Sequence, residues 1–350
     1  MGQHDGNSGT VFVLNSVAAP SNASVSVSQI VLGKCDPGEW DRNAMRAEAS
    51  MRSAYAHLRG LRYKYFLKGA PKIFGIFHES DGQRTQIGHA TIVLEFGTTR
   101  FYDGINLYPE FRQYWTEAMT LLLRACGRGT YEYGWQWVPE KSREDELRSI
   151  AGVENLNCRN ILVQGVDFAN WPDWDSYYRD ISTNVRYDAR KIVGQYRDLH
   201  LEIVTGLRAL LKIPILMGMR QALYRRKKLP FHSTRVLLGY ILSIVFCPPQ
   251  AIIAMAVGDD RVRAIHSNSE FGQFHYHLDA AAADGATGEG RFLQLAVIKR
   301  AYDLTPQGKF LVGYTDLPIE EQSAKGLLQS RRFLRVSDWP SSIIRFDWKA

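Results

Sequence analysis

GTYEYGWQWVPE (129–140) and GKFLVGYTDLPIEE (308–321) are the stretches from which the fold of this chain is read. Set against each other, Gly129, Tyr131, Gly134, Trp135 and Pro139 fall in register with Gly308, Phe310, Gly313, Tyr314 and Pro318. Glycine and proline weigh most in such a match, because they mark backbone conformations that other residues fill badly. Each stretch reads as a strand, and each follows a helical pattern. EFRQYWTEAMTLLLRACG (110–127) is entered just after Pro109 and carries Tyr114, Ala118, Leu121, Leu122 and Ala125 on one stripe; its counterpart is RFLQLAVIKRAYDL (291–304). Upstream of each lies a hairpin signal. KIFGIFHES and IGHATIVLEF flank a DG turn at 81–82, and QAIIAMAV and RVRAIHSNSE flank a DD turn at 259–260. The shared order of elements predicts two similar α/β halves arising from an internal duplication, the second with a longer loop.

The remaining segments fill in around these. VSVSQIVLG (25–33) alternates as a strand, EWDRNAMRAEASMRSAYAHLRG (39–60) reads as one helix stopped by Gly60, and TTRFYDGINL is a third strand after Gly97. Between the halves, 197–230 is helical in pattern, interrupted at Pro214, and ends in Arg225, Arg226, Lys227 and Lys228. That cluster is open to two readings, a solvated helix end or a polyanion patch. VLLGYILSIVFC (236–247) is stopped by Pro248 and Pro249 and falls short of the roughly 20 residues of a membrane span, so it reads as a buried helix.

At 350 residues, 45% of them apolar, the chain has enough material for a large core and more than one domain. A net charge of +7 favours acidic ligands without naming one. Cys35, Cys126, Cys158 and Cys247 lie far apart, with no CxxC and no zinc spacing, which suits a reduced, cytoplasmic setting and no metal site. The N-terminus lacks a signal-peptide pattern, and Gly6 breaks the myristoylation pattern. No P-loop, dinucleotide fingerprint or hydrolase elbow appears.

Four segments together resemble a known family: CDPGEWDRNAMRAEAS (35–50), GINLYPEFRQYWTEAMTLLLRACGRGTYEYGWQWVPE (104–140), VDFANWPDWDSYYRDISTNVRYDARK (166–191), and AIIAMAVGDDRVRAIHSNSEF (251–271) with the helix that follows and KFLVGYTD (309–316). This order is similar to the double-GNAT architecture of the FemAB-like and cellulose-biosynthesis-type acyltransferases. The resemblance implies an α/β (α+β) chain of two tandem GNAT-like domains, 1–160 and 161–350, the second with a helical, basic insertion at about 197–230. Each would hold a mixed, mostly antiparallel sheet flanked by helices. The implied activity is transfer of an acyl or aminoacyl group to an amine of a small molecule or peptide. The donor would be acyl-CoA, an acyl-carrier protein or aminoacyl-tRNA as co-substrate, with no bound cofactor and no stable DNA partner.

Such chemistry needs an anion site for the donor, stabilisation of an oxyanion, and a base for the ammonium proton. The loop ADGATGEGRF (283–292) offers Gly288, Gly290 and Arg291, although Gly285 stands where a single-domain GNAT has Arg or Gln, which tells against coenzyme A. Arg186 and Arg190, four apart on one helix face, with Lys191 at its edge, form a possible anion clamp or a solvated face. Glu270, placed after the strand RVRAIHSNS, and Asp316, at the end of KFLVGYTD, are the candidate catalytic carboxylates, with His275 and Tyr276 in a loop just beyond Glu270. Tyr133, Trp135 and Trp137 alternate along a strand and could stack on an acceptor or simply be core. A different class of function stays open: a non-catalytic GNAT-like module that docks RNA or an anionic membrane surface through the basic 220–228 helix.

Overall fold

The computed structural model of the chain describes residues 12–13, 24–64, 70–196, 198–246, 251–283, 288–316 and 331–349. It divides into two compact units. Unit 1 comprises Met1–Gln136, Glu140–Asn160 and Ser341–Ala350; unit 2 comprises Trp137–Pro139 and Ile161–Pro340. The last ten residues therefore fold with the first unit, not with the second half where the sequence had placed them. The strands are β1 (Phe12–Val13), β2 (Ser24–Ile30), β3 (Lys72–Ser80), β4 (Gln83–Glu95), β5 (Thr98–Leu107), β6 (Gly129–Tyr133), β7 (Val153–Asp167), β8 (His200–Thr205), β9 (Ile252–Gly258), β10 (Arg261–Phe271), β11 (Phe274–Ala282), β12 (Lys309–Asp316) and β13 (Ser337–Trp348). The chain leaves unit 1 within β7 and returns to it within β13.

In unit 1 the sheet runs β1-β2-β3-β4-β5-β6-β13 and is antiparallel except for β5 with β6. The DG turn folds as expected: Asp81 (φ 53°) and Gly82 (φ 74°) both take positive φ, the two-residue turn whose twist matches the flanking strands. Helix α1 (Pro37–Arg46) opens on Asp36, whose side chain accepts from Glu39 N at 2.7 Å, with Pro37 in the first turn. The single helix expected over 39–60 is broken. Glu48 turns to φ 54°, Ser50 caps a short turn, and α2 (Tyr55–Lys64) starts afresh. Parallel strands need a crossover, and α3 (Trp115–Cys126) supplies it from β5 to β6, burying Ala118, Met119, Leu121, Leu122 and Leu123. β6 stops at Tyr133 rather than running to 140, because Gly134 turns to φ 107°; the short α4 (Glu144–Arg148) follows.

In unit 2 the order is β8-β9-β10-β11-β12-β7, again antiparallel except for one pair, β11 with β12. Helices α5 (Trp174–Asp180) and α6 (Thr183–Val193) precede β8. The DD turn is realised too, with Asp259 at φ 50° and Asp260 at φ 57°. The segment expected to be helical from 197 instead begins with β8, since HLEIVT alternates and pairs with β9. Pro214 lies in the first turn of α7 (Ile213–Arg226), where it starts the helix rather than interrupting one. α8 (Ser233–Phe246) is not the buried helix the sequence suggested: Ile244 is its one buried residue. The crossover α9 (Gly288–Leu304) leads from β11 to β12 and packs on α6.

The two units repeat one design. Thr98, Thr99 and Arg100 pair with Thr130, Tyr131 and Glu132, and Phe274, His275 and Tyr276 pair with Lys309, Phe310 and Leu311. Each parallel pair holds for three residues only. The matched glycines both sit at positive φ, 107° for Gly134 and 116° for Gly313.

Candidate active site

Where two parallel strands part, backbone donors and acceptors lose their partner and a slot opens that side chains or a ligand must fill. The first residues past the parting therefore decide what each slot can do. In unit 1 these are Phe101 and Tyr133. Tyr133, 1% exposed, receives a hydrogen bond from Trp115 Nε1 at 3.2 Å and donates to Glu140 Oε1 at 3.2 Å. Gly104 admits the plug: a Cβ there would lie 3.1 Å from Tyr133 Oη and 3.2 Å from Gln136. Glu140 also accepts from Arg143 Nε at 3.1 Å, yet burial still pushes its carboxyl upward, as it does the Tyr133 hydroxyl. Asp103 is held by Ser50 N at 3.1 Å, Ser50 Oγ and Ser53 Oγ at 2.6 Å, a closed cluster that fixes the α1–α2 break to β5. The opening of unit 1 is thus filled by side chains, with Tyr133 and Glu140 hydrogen-bonded and Gln136 Oε1 the one buried polar atom of this plug without a partner among the described residues.

Unit 2 differs. The residues just past the parting are His277 on β11 and Val312 on β12. Arg331 donates from Nη2 to Val312 O at 3.0 Å and from Nη1 to Gln164 Oε1, while Gln164 Nε2 donates to Asp338 Oδ1 at 2.5 Å. Burial draws the Arg331 guanidinium below its usual range. Burial first, and Arg331 second, hold the His277 imidazole down to about 4, so it is neutral near pH 7. His266 meets it edge-on, ring centroids 4.6 Å apart, and is itself lowered by burial. Among the described residues, His277 Nδ1, His266 Nδ1 and both amide atoms of Asn268 are buried without a hydrogen-bond partner. Native interiors leave few such atoms, and each asks for an explanation such as a ligand, a water or a catalytic duty. Trp137 stands beside Tyr276, the last paired residue, at 6.3 Å between ring centroids.

The expected carboxylate Glu270 is elsewhere. It lies inside β10, not after it, opposite His275 in the antiparallel register, and His275 is itself among the paired residues of β11 and β12. Glu270 is therefore at the closed end. It accepts from Arg300 Nη1 at 2.8 Å and lies 3.6 Å from His275 Nδ1; the His275 contact first, and Arg300 with it, hold its carboxyl at about 2. A carboxylate so strongly held as an anion is a poor proton acceptor. His275 and Tyr276 are strand residues, 5% and 1% exposed, not loop residues, and His275 Nε2 is 3.1 Å from Thr305 Oγ1. The cavity beside them, lined by Asn268, Glu270, His275 and Arg300 among others, is about 10 Å³, room for one water. Asp316 ends β12 at the open side, and its side chain lies outside the described residues.

At the start of α9, a Cβ on Gly288 would meet Ile192 Cβ at 3.0 Å and Asp188 O at 3.1 Å. Gly288 thus lets α9 approach α6, and has a packing role rather than that of a phosphate cradle. At Gly290 a Cβ would make only ordinary contact, 3.9 Å from Ala282 Cβ, Arg291 Nη1 is 3.4 Å from Gln294 Oε1, and the buried Glu289 accepts from Tyr196 Oη at 2.5 Å. A carboxylate in the first turn occupies the end of the helix where an anionic ligand would bind. Gly285 lies outside the described residues. The α6 cations are partly engaged: Arg186 Nη2 donates to Thr183 Oγ1 at 3.1 Å and Arg190 Nε to Tyr178 Oη at 3.2 Å, while Lys191 is exposed. β6 ends at Tyr133, so Tyr133, Trp135 and Trp137 do not alternate along one strand as expected. Trp135 Nε1 donates to Glu132 at 2.5 Å, with Arg100 and Arg159 over its ring.

Arg331, Gln164, His266 and Asn268 were not anticipated from the sequence. A signal for two of them was present: in AIHSNSEF, His266, Asn268 and Glu270 alternate, which puts three large polar side chains on one face of the strand. Among the described residues no group of three or more His, Cys, Asp and Glu is placed to hold a metal ion.

No protein-family model matches the chain, and no curated protein matches it. Solved structures do. FemX is similar with a TM-score of 0.63 at 10% identity, over 92% of this chain and 97% of that one. The C-terminal domain assigned to a lysylphosphatidylglycerol synthetase from Agrobacterium fabrum gives 0.52 at 11% identity, over 89% and 92%. L-PGS from Bacillus licheniformis gives 0.51 at 9% identity, over 90% and 92%. The fold is the FemAB-like double-GNAT fold, two tandem GNAT-like units.

Proposed function

We propose that this protein is a GNAT-type N-acyltransferase that moves an acyl or aminoacyl group onto an amine at the open end of β11 and β12. One observation carries the reading: the strands part beyond Tyr276 and Leu311, and the groups waiting there are a neutral imidazole with an unpartnered nitrogen and a partly desolvated guanidinium. When the amine attacks the donor carbonyl, negative charge gathers on the carbonyl oxygen, and Arg331 is the cation to meet it. His277 offers a neutral hydrogen bond beside it. Asp316, the residue that ends β12, takes the ammonium proton directly or through water, and as the carbonyl re-forms the bond to the donor breaks and its thiolate or ribose oxygen leaves with a proton. Trp137 forms a wall for the acceptor.

Arg190, Lys191 and Arg291, near the packed start of α9, hold an anionic part of donor or acceptor. The glycine pattern and the buried Glu289 speak for aminoacyl-tRNA or an acyl-carrier protein over acyl-CoA as donor, and aminoacyl transfer accords with the name lysylphosphatidylglycerol synthetase borne by one similar structure. The test is product formation by mass spectrometry across these donors and a panel of amines. Arg331→Gln should lower kcat/KM by about a hundredfold, the scale of losing one oxyanion donor. Turnover unchanged in both Arg331→Gln and Asp316→Asn would remove the site.

A further inference from the structure

Helices α7 and α8 of unit 2 present a surface outside the candidate site. From Ile203 to Gly258 the chain contains no Asp or Glu but eight cations: Arg208, Lys212, Arg220, Arg225, Arg226, Lys227, Lys228 and Arg235. Arg208, Arg225, Lys227, Lys228 and Arg235 are exposed, and among the described residues none of these five makes an ion pair. Within this segment α8 packs on α7 and on the turn at Gly206–Lys212, with Tyr240 and Ile244 in the apolar cluster they share. Tyr240 Oη donates to Asp279 on β11, and Arg220 Nη1 donates to Tyr240 Oη at 2.9 Å, which pins the helix to the sheet.

The other side of α8 is apolar and faces out. Leu237 (36%), Leu238 (56%), Ile241 (36%), Leu242 (37%) and Val245 (42%) are exposed, at spacings that place them on one helix face. Arg235 is the only charged residue of α8. Leu211 (76%), on the adjoining turn, is exposed as well. An apolar helix face of this size is rare on a free surface and marks a contact. RNA would engage the cations but gain nothing from a row of leucines, and another copy of this cationic segment would be repelled. No described helix is long and apolar enough to cross a membrane, and α8 has 14 residues. An apolar face rimmed by Lys and Arg, too short to span, suits the plane between headgroups and acyl chains of an anionic bilayer.

We infer that the α7–α8 hairpin is a membrane-docking element, with the Leu238 and Leu242 face entering the outer part of an anionic phospholipid bilayer and Arg225, Lys227, Lys228 and Arg235 meeting its headgroups. The experiment is flotation of the full chain with phosphatidylcholine vesicles, with and without about a third phosphatidylglycerol. The chain floats with the anionic vesicles and not with the neutral ones. Leu238→Asp combined with Leu242→Asp lowers the bound fraction at least tenfold with an unchanged melting temperature, because both positions are exposed. Leu242→Trp shifts its emission to the blue only with anionic vesicles. Flotation unchanged by the double substitution, or no flotation at all, overturns the inference. So does a dimer in sedimentation that the double substitution dissolves, or an RNA gel shift abolished by Lys227→Gln and Lys228→Gln in a chain that binds no vesicles.

Discussion

Gly134 and Gly313 occupy the same place in the two repeats, yet they are constrained differently. Both hold a positive φ, which costs a residue with a Cβ about 1–3 kcal/mol. At Gly313 the nearest atom to an added Cβ is Arg331 Nη2 at 3.7 Å; at Gly134 it is the carbonyl oxygen of Ser342 at 2.0 Å. Gly134→Ala should therefore destabilise clearly more than Gly313→Ala in urea denaturation, and equal losses would contradict the reading. Buried histidines set a second expectation. Burial holds His89 and His277 at about 4, against 6.5 in the unfolded chain, so the folded state resists protonation. A group lowered in this way contributes stability that is present above pH 6.5 and is lost as the pH falls towards 4. For His89, 2% exposed, that shift amounts to about 3 kcal/mol. The melting temperature should fall between pH 7 and 4.5, and His89→Gln should flatten the fall; a flat wild-type profile would contradict the burial argument.

At the scale of elements, the aspartates Asp103 and Asp279 fall five residues into β5 and β11 and tie different partners to matching strands. Asp103 anchors the broken helix region through Ser50 and Ser53, and Asp279 anchors α7 and α8 through Arg220 and Tyr240. Asp279→Ala leaves Arg220, 14% exposed, without its carboxylate, and losing one partner of a buried pair costs about 3 kcal/mol. Hydrogen exchange over 213–246 should quicken while β9 to β12 stay protected; unaltered exchange would show that apolar packing alone holds the hairpin. The sequence disclosed those elements whose signals are local. The DG and DD turns, the Pro109 entry, the α3 stripe and the matched glycines all act over a few residues. The break after Glu48 was hidden because it depends on Ser50 and Ser53 reaching an aspartate about fifty residues away. The pairing of β13 with β6 was hidden too, since Ile344 and Tyr133 lie far apart in sequence. α8 misled because an apolar run shows affinity for something other than water, without saying whether that is the protein's own core.

At the scale of the whole molecule, one design is used twice with different side chains at the strand opening. Unit 1 fills its strand opening with Tyr133, Gln136 and Glu140 and leaves one buried atom of them, Gln136 Oε1, without a partner, whereas unit 2 leaves four such atoms, on His277, His266 and Asn268, near Arg331. The candidate site was only half legible for a topological reason. Glu270 and Asp316 look equivalent as strand-end carboxylates, but β10 runs antiparallel to β11, so the end of β10 reaches the closed side of the pair and the end of β12 the open side. Arg331 lies beyond β12 in the chain, where no spacing rule could assign it. The division of labour between units is the central claim. Its most direct test is transfer of a labelled aminoacyl or acyl group to an amine panel by the wild type, Arg331→Gln in unit 2, and Tyr133→Phe in unit 1. A roughly hundredfold loss for Arg331→Gln, with Tyr133→Phe within about threefold of wild type, is the predicted result; loss with Tyr133→Phe and retention with Arg331→Gln would contradict it.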